Sequence, residues 1–210
     1  MYTLYDYFRS TASYRVRIVL ALKELSYQCK EVHLINGGGE QLSPTYSQLN
    51  PEQLVPTLVE NTTDFTLSQS LAIIEYLESQ HPTPSLGSDD PKTQALIKSV
   101  ALSICCDMHP LNNLRVLNYL KNTLHLSDDQ KKTWYHHWLH KGFTALETQL
   151  SAIKRNQPFC FSDRITLADV CLIPQWYNAC RFKMDLSSYP LLSSINEHCL
   201  ALEPFKSAAP

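Results

Sequence analysis

Three hydroxyls within four residues, Ser10, Thr11 and Ser13, stand between a strand-like run and a helix-like run in the stretch Tyr7-Phe8-Arg9-Ser10-Thr11-Ala12-Ser13-Tyr14-Arg15-Val16-Arg17. The first N–H groups of a helix have no intrahelical partner, and the aligned peptide dipoles leave partial positive charge at that end. A hydroxyl placed there caps those N–H groups or reaches past them to a thiolate, carboxylate or phosphate. Ser and Thr are also the ordinary N-cap residues, so the stretch by itself fits both capping and anion holding. Two further pairs carry chemical potential: Val55-Pro56 at the entry to a strand, and Gln69-Ser70 at the start of a helix. A proline entering a strand cannot donate to the ladder and marks a segment whose backbone groups are free for other partners.

Other chemistry-bearing residues read as structural. His136 and His140 have helical i, i+4 spacing, but the zinc-protease pattern needs Glu at 137 and His137 stands there, which favours a solvent-facing helix over a metal site. The triplet Gly37-Gly38-Gly39 lacks the spacing of a phosphate-binding loop and reads as a plain loop. Seven cysteines at irregular spacings form neither a disulfide framework nor a CxxC motif, which predicts reduced thiols in a cytoplasmic protein. Adjacent Cys105 and Cys106 read as small buried helix side chains rather than a redox pair. Tyr5 and Tyr7 read as core or strand-face residues, with Tyr7 as a fallback thiol activator.

The elements that must position these residues follow from periodicity. In 210 residues, 44% hydrophobic and 18% charged, the chain has enough apolar material for one large domain or two small ones. Tyr2 to Tyr7 reads as a strand, Ser13 to Leu25 as a helix with Ile18, Ala21, Leu22 and Leu25 on one stripe, and Gln28 to His33 as a second strand. A short helix around Ser43 to Leu49, strands at Val55 to Val59 and Phe65 to Leu67, and a helix capped by Ser68 or Ser70 and running to about Gln80 complete the order β-α-β-α-β-β-α. In a thioredoxin-like arrangement of that order, a cis-proline at 56 turns the backbone of Val55 outward, free to pair with a peptide lying alongside. His81 to Pro91, with three prolines and a glycine after its histidine, reads as a linker, and all that follows reads as helical. Leu96, Val100 and Ile104 mark one stripe there, Leu139, Gly142, Phe143, Leu146 and Leu150 another, and Thr166-x-x-Asp169 is a capping box. The expectation is an α/β domain over 1–81, a linker over 82–91 and an all-helical domain over 92–210. A net charge of -2 without a basic run argues against nucleic acid, and the absence of a long apolar run argues against a membrane span. No secretory leader is recognisable at the N-terminus.

With these segments in order, the chain resembles the glutathione transferase superfamily, and within it the zeta class. The resemblance runs from Ser10-x-x-Ser13-x-Arg15-Val16-Arg17 through Gln53-Leu54-Val55-Pro56-Thr57 and Gln69-Ser70-Leu71-Ala72-Ile73-Ile74-Glu75-Tyr76-Leu77. It continues through His109-Pro110-Leu111-Asn112-Asn113-Leu114-Arg115 to Asn178-Ala179-Cys180-Arg181-Phe182-Lys183. It implies the glutathione transferase fold: a thioredoxin-like α/β N-terminal domain that binds glutathione and an all-α C-terminal domain that binds substrate. The resemblance implies catalytic roles for Ser10 and, behind it, Thr11, with Ser10 holding the glutathione sulfur as thiolate at the positive end of the first helix. It implies glutathione binding by Val55 and Pro56 through backbone, by Gln69 and Ser70 at the γ-glutamyl carboxylate, by Gln41 at the glycyl end, and by His109 and Asn113. For His109, simple packing remains an equal reading. Arg181 is the implied substrate-carboxylate contact, with Arg9 and Arg115 as further cations. Arg15 and Arg17 fit a solvated face or an internal ion pair.

The activity so implied is glutathione-dependent cis–trans isomerisation of maleylacetoacetate to fumarylacetoacetate, in tyrosine and phenylalanine breakdown, by a cytoplasmic homodimer. Two other readings use the same fold: a transferase or dehalogenase acting on small electrophilic acids, and a non-catalytic interaction protein. The retained Ser10, Val55, Gln69, Ser70 and Arg181 argue against the last. One departure is local. Zeta-class proteins usually read Ser-Ser-Cys-Ser-Trp-Arg where this chain reads Ser10-Thr11-Ala12-Ser13-Tyr14-Arg15, so a hydroxyl must do the activating without the cysteine.

Overall fold

The structure, a computed structural model, describes residues 1–153 and 157–210. The chain forms two compact units, Met1–Ser85 together with Leu202–Pro210, and Leu86–Ala201. In the first unit β1 (Tyr2–Asp6), α1 (Thr11–Leu22), β2 (Tyr27–Glu31), α2 (Pro44–Leu49), β3 (Thr57–Glu60), β4 (Phe65–Ser68) and α3 (Ser70–Gln80) follow in the order that the sequence pattern indicates. The sheet runs β2-β1-β3-β4, with β1 and β2 parallel and the other neighbours antiparallel. Leu4 and Leu58 face each other across the β1–β3 pair, and both are buried.

The helix α1 departs from its expected single apolar stripe, because it is covered on several sides. Val16, Ile18, Val19 and Leu20 are all fully buried. The helix packs on α3 and also on α9 (Glu203–Ala208), formed by the last residues of the chain. Polar bonds fix that return. The Tyr14 hydroxyl donates to the Phe205 carbonyl at 3.0 Å, and Arg17 Nε donates to the Ala208 carbonyl at 2.8 Å. Arg17 Nη1 also donates to both Asp6 carboxylate oxygens at 2.8 Å, so this arginine makes the internal ion pair that was one of its two readings. Residues 202–210 therefore belong with the α/β unit, whereas the sequence reading ran the helical segment on to 210.

The second unit contains α4 (Pro91–Leu102), a π-helical turn (Ser103–Met108), α5 (Leu114–Asn122), α6 (Asp128–Ala152), α7 (Leu167–Arg181) and α8 (Pro190–Leu200). The buried face of α4 starts one residue later than the stripe read from sequence. Leu96 is 47% exposed, while Ile97, Val100 and Ala101, and Ile104 beyond them, are buried. The α6 stripe holds: Leu139, Phe143, Leu146 and Leu150 are buried, and a Cβ at Gly142 would collide with the Met108 side chain. The capping box forms as the sequence indicates. Asp169 is fully buried and accepts hydrogen bonds that include the Cys160 N–H at 2.7 Å, the Thr166 N–H at 2.8 Å and the Thr166 hydroxyl at 2.7 Å. Burial pushes its carboxyl pKa up, and these donors oppose the shift. Asp169→Ala leaves those donors without their acceptor. It is expected to lower unfolding free energy by about 3 kcal/mol, read as a lower urea midpoint with little change in slope.

Candidate functional site

Ser10 is the N-cap of α1: its backbone is extended and its Oγ accepts the Ser13 N–H at 3.2 Å. Capping uses a lone pair and leaves the hydroxyl hydrogen available, so capping and anion holding are compatible in one side chain. Ser10 is half-buried, whereas Thr11 and Ser13 are buried. Of the three hydroxyls, Ser10 is the most accessible one. Its N–H donates to the Tyr7 carbonyl at 2.8 Å, which links the turn to a buried cluster of Tyr7, Val32, Tyr46 and Val55.

Val55 enters that cluster through its side chain while its backbone stays unused. The Val55-Pro56 bond is cis, and among the described residues neither the N–H nor the carbonyl of Val55 has a hydrogen-bond partner. The strand β3 begins only at Thr57, two residues later than the sequence suggests, since Pro56 has no N–H for the ladder. A brace of buried polar side chains holds this segment. The Tyr46 hydroxyl donates to the Leu54 carbonyl at 2.7 Å and accepts from Thr57 Oγ1 at 2.9 Å. Asn50 Nδ2 donates to the Leu54 carbonyl at 2.8 Å and to Thr57 Oγ1 at 3.1 Å. One proton assignment satisfies all four contacts: Thr57 accepts from Asn50 and donates to Tyr46.

At α3 neither Ser68 nor Ser70 is the cap. Gln69 occupies that position with φ 71° and ψ 112°, and no side chain caps the first turn. Its first-turn N–H groups thus remain an anion-attracting end. Gln69 Nε2 donates to both Glu52 oxygens at 3.0 and 2.8 Å, and Ser68 Oγ donates to one of them at 3.2 Å. Ser70, the first residue of α3, accepts at its Oγ from Arg15 Nη1 at 3.0 Å. Arg15 is only 2% exposed, and its Nε and Nη2 have no partner among the described residues. This corrects its expected place on a solvated face or in an ion pair. A buried guanidinium bonded to a neutral hydroxyl adds positive potential beside the N-terminus of α3. Gln41 lies after the glycine triplet, half-buried, with Nε2 at 3.5 Å from the Leu34 carbonyl and Oε1 without a partner among the described residues. Arg9 is exposed, its guanidinium 4.9 Å from the Phe8 ring. The first unit therefore gathers a thiolate-sized donor at Ser10, a free peptide edge at Val55 and a carboxylate-attracting end at Gln69-Ser70. Those features suit a small acidic thiol peptide.

In the second unit Arg181, the last residue of α7, is exposed. Its Nε donates to Asn178 Oδ1 at 3.1 Å and its guanidinium lies 4.7 Å from the Phe182 ring. That ring stacks on Tyr135 at 3.8 Å, so the cation is seated on an aromatic pair. Burial pushes the Tyr135 phenol well up, and the Arg181 charge pulls it back. His109 follows the π-helical turn and its N–H donates to the Ile104 carbonyl at 2.9 Å. Asn113 caps α5, accepting the Arg115 N–H at 3.1 Å, and Arg115 is exposed. His136 Nε2 and His140 Nδ1 are engaged by the Phe182 carbonyl and the Tyr189 hydroxyl at 3.0 and 2.7 Å. Sequence reasoning missed Glu52, the Tyr46–Asn50–Thr57 brace and the burial of Arg15, since each depends on contacts between separate elements.

The glutathione S-transferase N-terminal domain model matches residues 4–85. A maleylacetoacetate isomerase from Pseudomonas aeruginosa is 44% identical over 207 residues, covering 99% of this chain and 95% of its own. Among solved structures, a zeta-class maleylpyruvate isomerase in its holo form is 40% identical with a TM-score of 0.94, covering 99% of this chain and 96% of its own. A maleylacetoacetate isomerase from Methylobacterium extorquens with bound malonate and GSH is 33% identical with a TM-score of 0.93, covering 99% of both chains.

Asn50→Ala removes two bonds of the brace without touching Val55. Hydrogen exchange of the 53–57 segment is expected to speed up selectively, with a global stability loss of about 1–3 kcal/mol.

Proposed function

The chain belongs to the zeta class of the glutathione S-transferase family, and from that premise we propose that it isomerises maleylacetoacetate to fumarylacetoacetate with glutathione as cofactor, in tyrosine and phenylalanine breakdown. The observation that carries this reading is the Ser10 hydroxyl at the N-terminus of α1, whose lone pair serves the cap while its hydrogen stays available. When bound, glutathione would supply a thiolate nucleophile for reversible conjugate addition to the cis double bond, with the displaced π pair held on the neighbouring carbonyl until elimination restores the double bond as trans.

The residues of the chain perform the rest. Ser10 donates to the sulfur and, with the dipole of α1, favours its ionised form; a hydrogen bond to a charged group contributes about 1.5–3 kcal/mol. Thr11 stands behind it as the first helical residue. Val55, oriented by Pro56, offers its N–H and carbonyl to the cysteinyl part of the peptide as a strand would. Gln69 and Ser70 receive the γ-glutamyl carboxylate at the N-terminus of α3, with Arg15 beneath Ser70 supplying charge. Gln41 takes the glycyl end, and His109 and Asn113 complete the cofactor contacts. Arg181 holds a substrate carboxylate, with Arg9 and Arg115 as further cations for a dicarboxylate.

Residues 1–81 carry most of the glutathione contacts and residues 92–201 the substrate contacts, with 82–91 joining them and 202–210 belonging with the first unit. No helix among the described residues is long and apolar enough to cross a membrane. The protein works as a cytoplasmic homodimer.

Isomerisation of maleylacetone, followed spectroscopically, is expected only when glutathione is present, and Ser10→Ala is expected to lower kcat/KM about tenfold or more. Turnover without glutathione, or an unchanged Ser10→Ala enzyme, contradicts the proposal. Conjugation of a chloro-aromatic electrophile, run in parallel, is expected to be slow; conjugation faster than isomerisation favours a general transferase. Glu52→Gln is expected to raise KM for glutathione several-fold with kcat within about twofold, because it disturbs the orientation of Gln69 and the bond from Ser68 and leaves the Ser10 hydroxyl untouched.

A further inference from the structure

Two thiols from separate helical segments of the second unit meet. Cys105, in the π-helical turn, lies with its Sγ 3.7 Å from the Sγ of Cys171 in α7. The two differ in access: Cys105 is half-buried and Cys171 fully buried, so a reagent reaches the pair through Cys105. Both are reduced in this structure. A disulfide needs the sulfurs about 1.7 Å closer, at ~2.05 Å. A π-helical turn is the irregular part of a helix, so the backbone carrying Cys105 is suited to that adjustment.

We infer that Cys105 and Cys171 form a redox-switchable disulfide, made by exchange with glutathione disulfide, that staples the π-helical turn to α7 and tunes substrate binding. In the first step Cys105 loses its proton to solvent and its thiolate attacks one sulfur of glutathione disulfide. The S–S bond breaks, and one glutathione leaves as a thiolate that takes up a proton. In the second step Cys171, deprotonated in turn, attacks the Cys105 sulfur of the mixed disulfide and expels the second glutathione. Two protein thiols are oxidised by two electrons, and one glutathione disulfide is reduced to two glutathione molecules.

The consequence lies in what the staple joins. His109 directly follows the π-helical turn, and Arg181 ends α7. Oxidation links α7, which ends at the proposed substrate contact Arg181, to the turn that precedes His109, a proposed glutathione contact, so it acts on substrate binding through α7. Formation of the bond is independent of the proposed isomerase activity, whereas its effect on catalysis rests on that reading. Exposed Cys29, Cys106 and Cys180 are accessible to simple mixed disulfides, which the test must distinguish.

The full-length protein is equilibrated with glutathione buffers of increasing disulfide fraction, alkylated, and mapped by peptide mass spectrometry, with circular dichroism as the check on folding. The expected result is a linked Cys105–Cys171 peptide in folded protein, reversed by reduced glutathione. Cys171→Ser is expected to stop at a glutathione adduct on Cys105. Maleylacetone kinetics, run in a glutathione/glutathione disulfide buffer that keeps the pair linked, are expected to show KM for the substrate changed at least about threefold from that of the reduced protein. Recovery of Cys105 and Cys171 both alkylated, with adducts only on Cys29, Cys106 or Cys180, overturns the switch. A linked peptide with unchanged substrate KM overturns its role in tuning. Absence of isomerase activity in both forms, with the linked peptide present, counts against the functional reading and leaves the disulfide established.

Discussion

A short stretch of backbone has to be left unpaired at the edge of a packed core, and much of the first unit is arranged to allow it. A backbone hydrogen bond contributes about 0.5–1.5 kcal/mol net, so a peptide edge left open like that of Val55 forgoes that gain and has to be held in place by other contacts. Pro56 prevents the strand from starting early, and Tyr46, Asn50 and Thr57 anchor both sides of the gap. Thr57 is itself fixed, because β3 lies between β1 and β4 and pairs Thr57 with Tyr5 and Ser68. An edge held this rigidly loses little freedom when a peptide pairs with it, so more of the pairing energy appears as affinity.

The charge arrangement obeys the same logic. Arg15 and Arg17 stand two residues apart on α1, on different sides of the helix, and both are buried, yet they are satisfied in opposite ways. Arg17 is neutralised by Asp6 and ties the C-terminal segment down through Ala208, which makes it structural. Among the described residues Arg15 bonds only to the neutral Ser70 hydroxyl. A buried cation without a counter-ion is costly, and a ligand carboxylate at the N-terminus of α3 offsets that cost. Together with the uncapped first turn of α3, this supports the proposed placing of the γ-glutamyl carboxylate there.

Local signals were legible in the sequence and long-range ones were not. The order of strands and helices, the Thr166–Asp169 box and the α6 stripe follow from periodicity and capping chemistry within a few residues. The stripe on α4 slipped by one residue because Leu96 and Ile97 are equally apolar, and only the packing neighbours decide which is buried. The all-round burial of α1 was invisible because it depends on residues 202–210 returning to cover it. Ser10, Val55, Gln69 and Ser70 stood out because a turn, a proline and a helix start mark them locally. Glu52 and Arg15 carried no such mark. Their roles come from partners 17 and 55 positions away in the chain. Cys105 and Cys171 are 66 positions apart, and for the same reason the sequence reading took Cys105 as simple packing.

The account rests on a serine hydroxyl activating a thiol where Ala12 leaves no cysteine to assist. The most direct measurement is a pH titration of protein-bound glutathione by the ultraviolet absorbance of its thiolate, for the native chain and for Ser10→Ala. The account predicts a thiol pKa about one to two pH units below that of free glutathione in the native protein, returning most of the way in the variant. A bound thiol that titrates like the free one, or a depressed pKa that survives the loss of the Ser10 hydroxyl, would contradict it.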